Sequence, residues 1–477
     1  MKTFLQVLSQ DERAQVHERT LNILAKTGVR VDTAWGRQIL KDAGAEVDEN
    51  TTVVRLPRAL VEESLRLASK EFTLGARRPG WDLRMNGGDC TLCIDGEAIF
   101  ALDRETGERR PGTTEDWLAA TRLIDALDEM GVWWGMVEAS DQGNTMADYV
   151  GYLRDIFGNF SKHVQDATAT PEQALWLLEV LQVVFGDKET IRRQHPLSFL
   201  LCPLSPLAIE APYTDAYLAL LGWDIPVAVM PMPLMGATAP GSLISTTVLG
   251  NCDVLAMLCL IQAGAPGTPF IYAPALSIID PRTGRYSPGA VENGLLGAAA
   301  VEMARYYGLP AEGTGGGSEC YAPGIQAGYE RAMNALLPML SWPDIMVGGG
   351  LLGGSMVLSL EQLLIDVEIF RAARRAHRGI AAGEDKWLED VIDRVGPAGN
   401  FLGERSTRKG TRSGEWYVSK FGVHDTYEKW VAAGKPALLD EARQKVDEIL
   451  AAHEPLPLDE DVECELDRIQ KRAQEES

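Results

Sequence analysis

Trp133 and Trp134 stand side by side in one short, mostly apolar run, and Tyr272 and Tyr321 sit near the ends of two others. Aromatic faces around a negative cavity attract a quaternary ammonium ion, which has no hydrogen to donate and is held through its positive charge. Successive residues of a strand point to opposite faces, so one of the two indoles turns inward. The same rings also serve to fill a protein interior, and the sequence leaves both readings open. His163, on another strand-like run, is placed either to hydrogen-bond a substrate or to sit satisfied in the interior. Glycines cluster at 313–317 and 348–354. They remove side chains where a large flat cofactor could approach the backbone, or they make ordinary flexible loops.

Other chemistries find little support. The run from Gly348 to Gly353 matches G-x-G-x-x-G, but the following helix starts only near Ser359, and Asp366 and Glu368 fall inside that helix instead of ending a second strand. No G-x-x-x-x-G-K-[ST] loop and no G-x-S-x-G elbow occurs. Cys90 and Cys93 form a lone C-x-x-C whose thiols would face opposite sides of a strand, and the six histidines include no H-x-H or H-E-x-x-H pattern. The sequence therefore nominates no catalytic residue and no metal site.

The elements that must position these residues follow from hydrophobic periodicity. Before residue 113 the pattern is mixed, with helical spacing over 10–28, a strand over 47–56, a helix over 57–69 and one or two strands over 90–102 around Asp95-Gly96. From Thr113 onward, short strand-like runs alternate with long amphipathic segments. Strands are predicted over 131–137, 162–166, 197–202, 226–230, 269–273, 310–313 and 344–347, with helices between them and a last one over 359–377. Seven such units, with an eighth strand expected after His377, predict an α/β fold. Its form is a (β/α)8 TIM barrel over 113–400, with an N-terminal α+β cap over 1–112 and a C-terminal loop and helical extension over 401–477. Chemistry in such a barrel lies past the C-terminal strand ends, which selects Glu138, Ser140 and Asp141; His163, Gln165 and Asp166; Cys202, Ser205 and Glu210; Met230, Met232 and Met235; Tyr272 and Ala273; and the segments 314–321 and 348–354.

The 477 residues carry 45 Lys+Arg against 68 Asp+Glu, a net charge of -23. This field argues against a nucleic-acid partner and suits a cationic ligand. The uncharged stretch 225–252 is long enough to span a bilayer, but Pro226, Pro231, Pro233 and Pro240 break any single helix there, so no membrane partner is expected. The first residues have no export-signal pattern, and the seven cysteines suit reduced thiols; a cytoplasmic protein is expected. Apolar outer helices make a homo-oligomer the expected assembly.

Several segments occur together in a familiar order: HERTLNILAKTG at 17–28, DRETG at 103–107, MPLMGATAP at 232–240, DPRTG at 280–284, QAGYE at 326–330 and LIDVEI at 364–369. Across nearly its whole length the chain resembles the trimethylamine methyltransferase family. The Gly-rich run from Val347 to Gly350 and the lack of pyrrolysine resemble its pyrrolysine-free branch, which includes glycine betaine:corrinoid methyltransferases. The resemblance implies a (β/α)8 barrel that moves a methyl group from a quaternary amine, glycine betaine first and proline betaine, carnitine or γ-butyrobetaine as alternatives, to the cob(I)alamin of a separate corrinoid protein. A barrel that only binds such an amine is the non-catalytic alternative.

No corrinoid-binding Asp-x-His-x-x-Gly is present, so the cobalamin is expected to arrive on a partner protein, with no cofactor bound permanently. On this reading Trp133, Trp134, Tyr272 and Tyr321 are cage candidates and Glu210 and Glu319 are charge partners. His163 or Arg408 would meet a substrate carboxylate, although Arg408 also fits an ordinary surface role. Gly315, Gly316, Gly348, Gly349 and Gly350 are where the corrinoid would approach. Ser406 stands where the family is expected to carry a histidine before threonine.

Overall fold

The structure, a computed structural model, describes Lys2 and residues 4–476. It is an α/β fold. Parallel strands Val132–Trp133, His163–Asp166, Leu197–Leu201, Val227–Val229 and Phe270–Tyr272 pair in that order. Glu312–Thr314, Ile345–Val347 and Thr91–Cys93 form a second parallel sheet. Single parallel bridges, Leu92 to Met130 and Tyr272 to Ala311, join the two sheets at both seams, so the pairing path returns to its starting strand. In chain order these are the first (Thr91–Cys93) to the eighth (Ile345–Val347) parallel strands. Val227–Val229 and Phe270–Tyr272 are buried at every residue, as strands covered on both faces require.

The helices between strands begin where the sequence writes a cap. Thr113 with Asp116 and Thr145 with Asp148 complete capping boxes, and Thr170 caps a helix that starts with Pro171. The long apolar helix Leu243–Gly264 packs against Gln10–Lys26, Ala34–Asp42 and Arg58–Leu67, which accounts for its lack of a polar face.

Two expectations are corrected. The remaining parallel strand does not follow His377; it is Thr91–Cys93, and among the described residues 379–437 only a 3-10 turn and short helices occur. Three residues beside a hairpin carry no periodicity that distinguishes the two kinds of strand, and only pairing does so. The strand expected over 47–56 is an antiparallel hairpin, Glu46–Asp48 with Val53–Arg55, because Asp48 Oδ1 accepts from the Asn50 amide at 3.0 Å and turns the chain. The C-terminal helices Leu438–Ala452 and Glu460–Glu476 lie in the outer layer. The first packs on Leu360–Arg378 and Thr114–Ala126, the second on Met146–Asn159 and Pro171–Phe185.

The turns after the seventh and eighth strands touch. A Cβ on Gly348 (φ +140°) would lie 1.5 Å from the Gly315 carbonyl oxygen, and one on Gly316 (φ +75°) 2.6 Å from the Gly348 oxygen, so both positions require glycine. Arg331, with its side chain 1% exposed, donates through Nη1 to the Gly316 carbonyl at 2.6 Å and to Asp366 Oδ2 at 2.8 Å. The same Asp366 oxygen accepts from the Gly350 amide at 2.8 Å. One buried ion pair thus fixes both turns. Arg331→Met leaves Asp366 buried without its cation, and denaturant unfolding is expected to show a loss of roughly 3–5 kcal/mol. A loss below about 1 kcal/mol would mean that the pair does not hold the turns.

Candidate functional site

A cavity of about 650 Å3 lies at the C-terminal ends of the parallel strands. All eight reach it, from Asp95 just past the first strand to Val347 at the end of the eighth. Its wall is largely apolar and soft, with Met230, Met232, Met356 and Leu276, joined by the rings of Trp134, Tyr213 and Tyr286. It carries the carboxyls of Asp95, Glu97 and Asp166, with no Lys, Arg or His among the described lining residues.

Burial pushes the Asp166 carboxyl up to about 7 and the Asp95 carboxyl up to about 6. Glu97 is reached by water but surrounded by protein, and burial together with the nearby Glu138 raises it as well. Ser355 Oγ donates to Asp95 Oδ2 at 2.8 Å, tying the turn after the first strand to the loop beyond the eighth. An acid-lined cavity of this kind favours a cation, because a positive charge inside it stabilises the ionised carboxylates that burial disfavours.

Beneath the wall runs a closed hydrogen-bond network. Trp134 Nε1 donates to Gln165 Oε1 at 2.6 Å, and Gln165 Nε2 donates to Ser198 Oγ at 3.2 Å and to Glu312 Oε2 at 3.3 Å. His163 Nδ1 faces the Gly75 carbonyl at 3.0 Å and must donate to it, which leaves Nε2 to accept from Ser198 Oγ at 2.8 Å. Burial pushes His163 down to about 3, so the imidazole is neutral. Burial pushes the Glu312 carboxyl up to about 8, and its Oε1 makes no hydrogen bond.

The trimethylamine methyltransferase (MTTB) family model matches residues 2–477. The chain belongs to the trimethylamine methyltransferase family. The trimethylamine methyltransferase MttB of Methanosarcina barkeri (strain Fusaro / DSM 804) is 30% identical over 475 residues, covering 98% of this chain and 95% of that protein. MttB of Desulfitobacterium hafniense (strain DSM 10664 / DCB-2) is 30% identical over 468 residues, with 98% and 94% covered. A glycine betaine methyltransferase of Desulfitobacterium hafniense (strain Y51) is also 30% identical over 468 residues, with 96% and 95% covered.

In this family member the residues nominated from sequence do not converge as a group. Trp134 lines the cavity, with its indole N–H already engaged on Gln165. Trp133 faces the other way, donating to Thr121 Oγ1 at 3.2 Å and meeting the Trp117 ring edge-on at 5.7 Å, because strand alternation separates adjacent residues. Tyr272 is buried toward the outer layer, where its hydroxyl donates to Asn251 Oδ1 at 2.9 Å. His163 is sealed beneath the wall. Glu210 is exposed at the start of Ala211–Leu218, and Arg408 is exposed on Arg405–Gly410.

Glu319 accepts from Ser287 Oγ, and Tyr321, 49% exposed, accepts from Arg285 Nη2 at 3.2 Å; neither is on the wall. Of the glycines, Gly315 lines the cavity, whereas the close approach of Gly316 and Gly348 is to other backbone of this chain. Gly349 and Gly350 are buried behind the wall. The residues missed outright, Asp95 and Glu97, follow the strand that was read as part of the cap. Their signal was the apolar run 90–94 ending in Asp95-Gly96-Glu97.

Glu312 holds its proton in the folded state between about 4.5, the ordinary carboxyl value, and about 8, where the unfolded chain has lost it. A proton bound only by the folded state makes its contribution to stability fall as pH rises through that window. Glu312→Gln is therefore expected to gain stability relative to the wild type as pH rises from about 5 to 8. Unfolding curves at both ends check this, and an equal difference at the two pH values would show that Glu312 does not titrate in the window.

Proposed function

We propose that the protein moves a methyl group from a quaternary amine to the cobalt of a corrinoid carried by a separate protein. The observation that carries this reading is an acidic, aromatic and thioether-lined cavity with no cationic side chain among its described lining residues, in a chain of the trimethylamine methyltransferase family. We read the eight-strand circuit as a (β/α)8 barrel, a reading supported by the two seam bridges and by the site's place at the C-terminal strand ends.

Each wall group has a definite task. Asp95, Glu97 and Asp166 supply the negative field that draws the cation in. Trp134, its N–H occupied, leaves its ring to face the methyl groups, and Met230, Met232 and Met356 pack around them without competing for hydrogen bonds. Gly315, Gly317 and Gly354 keep part of the wall free of side chains, which suits the approach of a broad flat macrocycle. The corrinoid would supply a two-electron cobalt nucleophile for the methyl carbon, with the C–N bonding pair remaining on nitrogen so that the amine leaves neutral. No proton transfer is needed from this chain, and its part is to place one methyl group in line at the cavity mouth.

The sequence resemblance favours glycine betaine among the substrates. The test is to mix the protein with a corrinoid protein, a cobalt reductant and a panel of quaternary amines, following the cobalt spectrum and the amine product together. The expected result is one tertiary amine formed per cobalt methylated, dimethylglycine where the substrate is glycine betaine. Binding without transfer from any amine in the panel would overturn the reading. Trp134→Leu is expected to weaken quaternary ammonium binding by about 1–2 kcal/mol, roughly tenfold, in calorimetry. Trp133→Leu, changed in the outer layer, is expected to lower the melting temperature and leave the affinity within about twofold.

A further inference from the structure

The cavity wall is as informative for the charge it lacks as for the charge it holds. Asp95, Glu97 and Asp166 line it, and fully buried Glu312 lies behind Gln165. No cation of the neighbouring segments is among the described lining residues. Arg331 is locked onto Asp366 and the Gly316 carbonyl, and Arg285 donates to the Tyr321 hydroxyl off the wall. His163 is sealed below with both ring nitrogens engaged, and Arg408 stands exposed on a separate helix.

A carboxylate brought in by a betaine would therefore meet like charge and, among the described lining residues, no cationic partner. Burying an unpaired charge beside others of its sign is disfavoured, whereas the ammonium end alone is favoured by the same groups. The neutral polar groups of the wall are better suited to a hydroxyl: Ser277 and Tyr286 stand together on it.

Resting on the methyltransferase reading above, but departing from the glycine betaine that the sequence resemblance favours, we propose that the substrate is a methylated quaternary ammonium ion that carries no carboxylate, an alkyl or hydroxyalkyl ammonium such as tetramethylammonium or choline. The cation pairs with Asp95, Glu97 and Asp166, while the remainder of the ion packs on methionine and aromatic surface. The groups that face these three carboxyls are Glu138 beside Glu97, Arg331, Asp366 and Tyr286 around Asp95, Tyr149 and Tyr152 around Asp166, and buried Glu312 behind Gln165. Because burial holds Asp166 and Asp95 partly protonated near neutrality, binding the cation displaces protons, and affinity rises as pH is raised from 6 through about 7.

The test is calorimetry of the full chain with tetramethylammonium, choline, glycine betaine and carnitine at low and high salt, followed by methyl transfer from each to a reduced corrinoid protein. Choline and tetramethylammonium are expected to bind at least about tenfold more tightly than either carboxylated ion, to weaken with salt, and to be the better methyl donors. Asp166→Asn, and separately Glu97→Gln, are expected to reduce choline affinity about tenfold and to narrow its advantage over glycine betaine, with thermal unfolding confirming that each variant is folded. If glycine betaine or carnitine binds as tightly as choline, or is demethylated faster once the corrinoid protein is present, this inference falls and the methyltransferase reading stands. If none of the four, nor any other quaternary amine, donates a methyl group, the methyltransferase reading itself falls, and this inference with it.

Discussion

The ion pair between Arg331 and Asp366 holds the part of the structure on which the cavity depends. One guanidinium nitrogen binds the Gly316 carbonyl and the Asp366 carboxylate, and that carboxylate oxygen in turn binds the Gly350 amide. Two glycine turns are thereby pressed together at a separation no side chain would permit. Glu330, one residue before Arg331, extends the same support by accepting from Ser318 Oγ at 2.7 Å and the Glu319 amide at 3.0 Å. The segments 326–330 and 364–369, which carry much of the family resemblance, thus surround the clamp that shapes Gly315 and Gly317 into the wall. A buried pair is costly to desolvate, so its value here is geometric more than energetic.

The second constraint is backbone pairing. Thr91–Cys93 pairs with Ile345–Val347 and bridges to Met130, joining a segment near residue 90 to strands on either side of it in space. That placement delivers Asp95 and Glu97 to the cavity that Asp166 also lines. Three carboxyls in a partly desolvated space repel one another and resist ionising together. A cation in the cavity relieves both penalties at once. The Gln165 network beneath is neutral, with an uncharged imidazole and a protonated Glu312, so it fixes the Trp134 ring without adding a competing positive charge.

Much of the architecture was legible in local pattern. Helix starts such as Thr145 with Asp148 and Thr170 before Pro171 are written in adjacent residues, and the apolar runs at 197–201 and 227–229 have no other use than a doubly covered strand. The site was less legible. Trp133 and Trp134 were nominated together, and period-two alternation said that only one could face inward without saying which. Tyr272 and His163 sit on or at the end of strands, yet their side chains are spent on Asn251, Gly75 and Ser198, partners that lie far away in sequence.

The sequence by itself determined the alternation of strands and helices, the family and the acidic character of the chain, because each is carried by residue order over short or cumulative stretches. Tertiary structure alone decided that Thr91–Cys93 completes the parallel pairing, that Asp95, Glu97 and Asp166 share one cavity, and that no arginine, lysine or histidine among the described residues joins them on its wall. These are matters of which side chains meet, and meeting is set by strand pairing and packing between positions hundreds of residues apart, for which a linear pattern has no local signal.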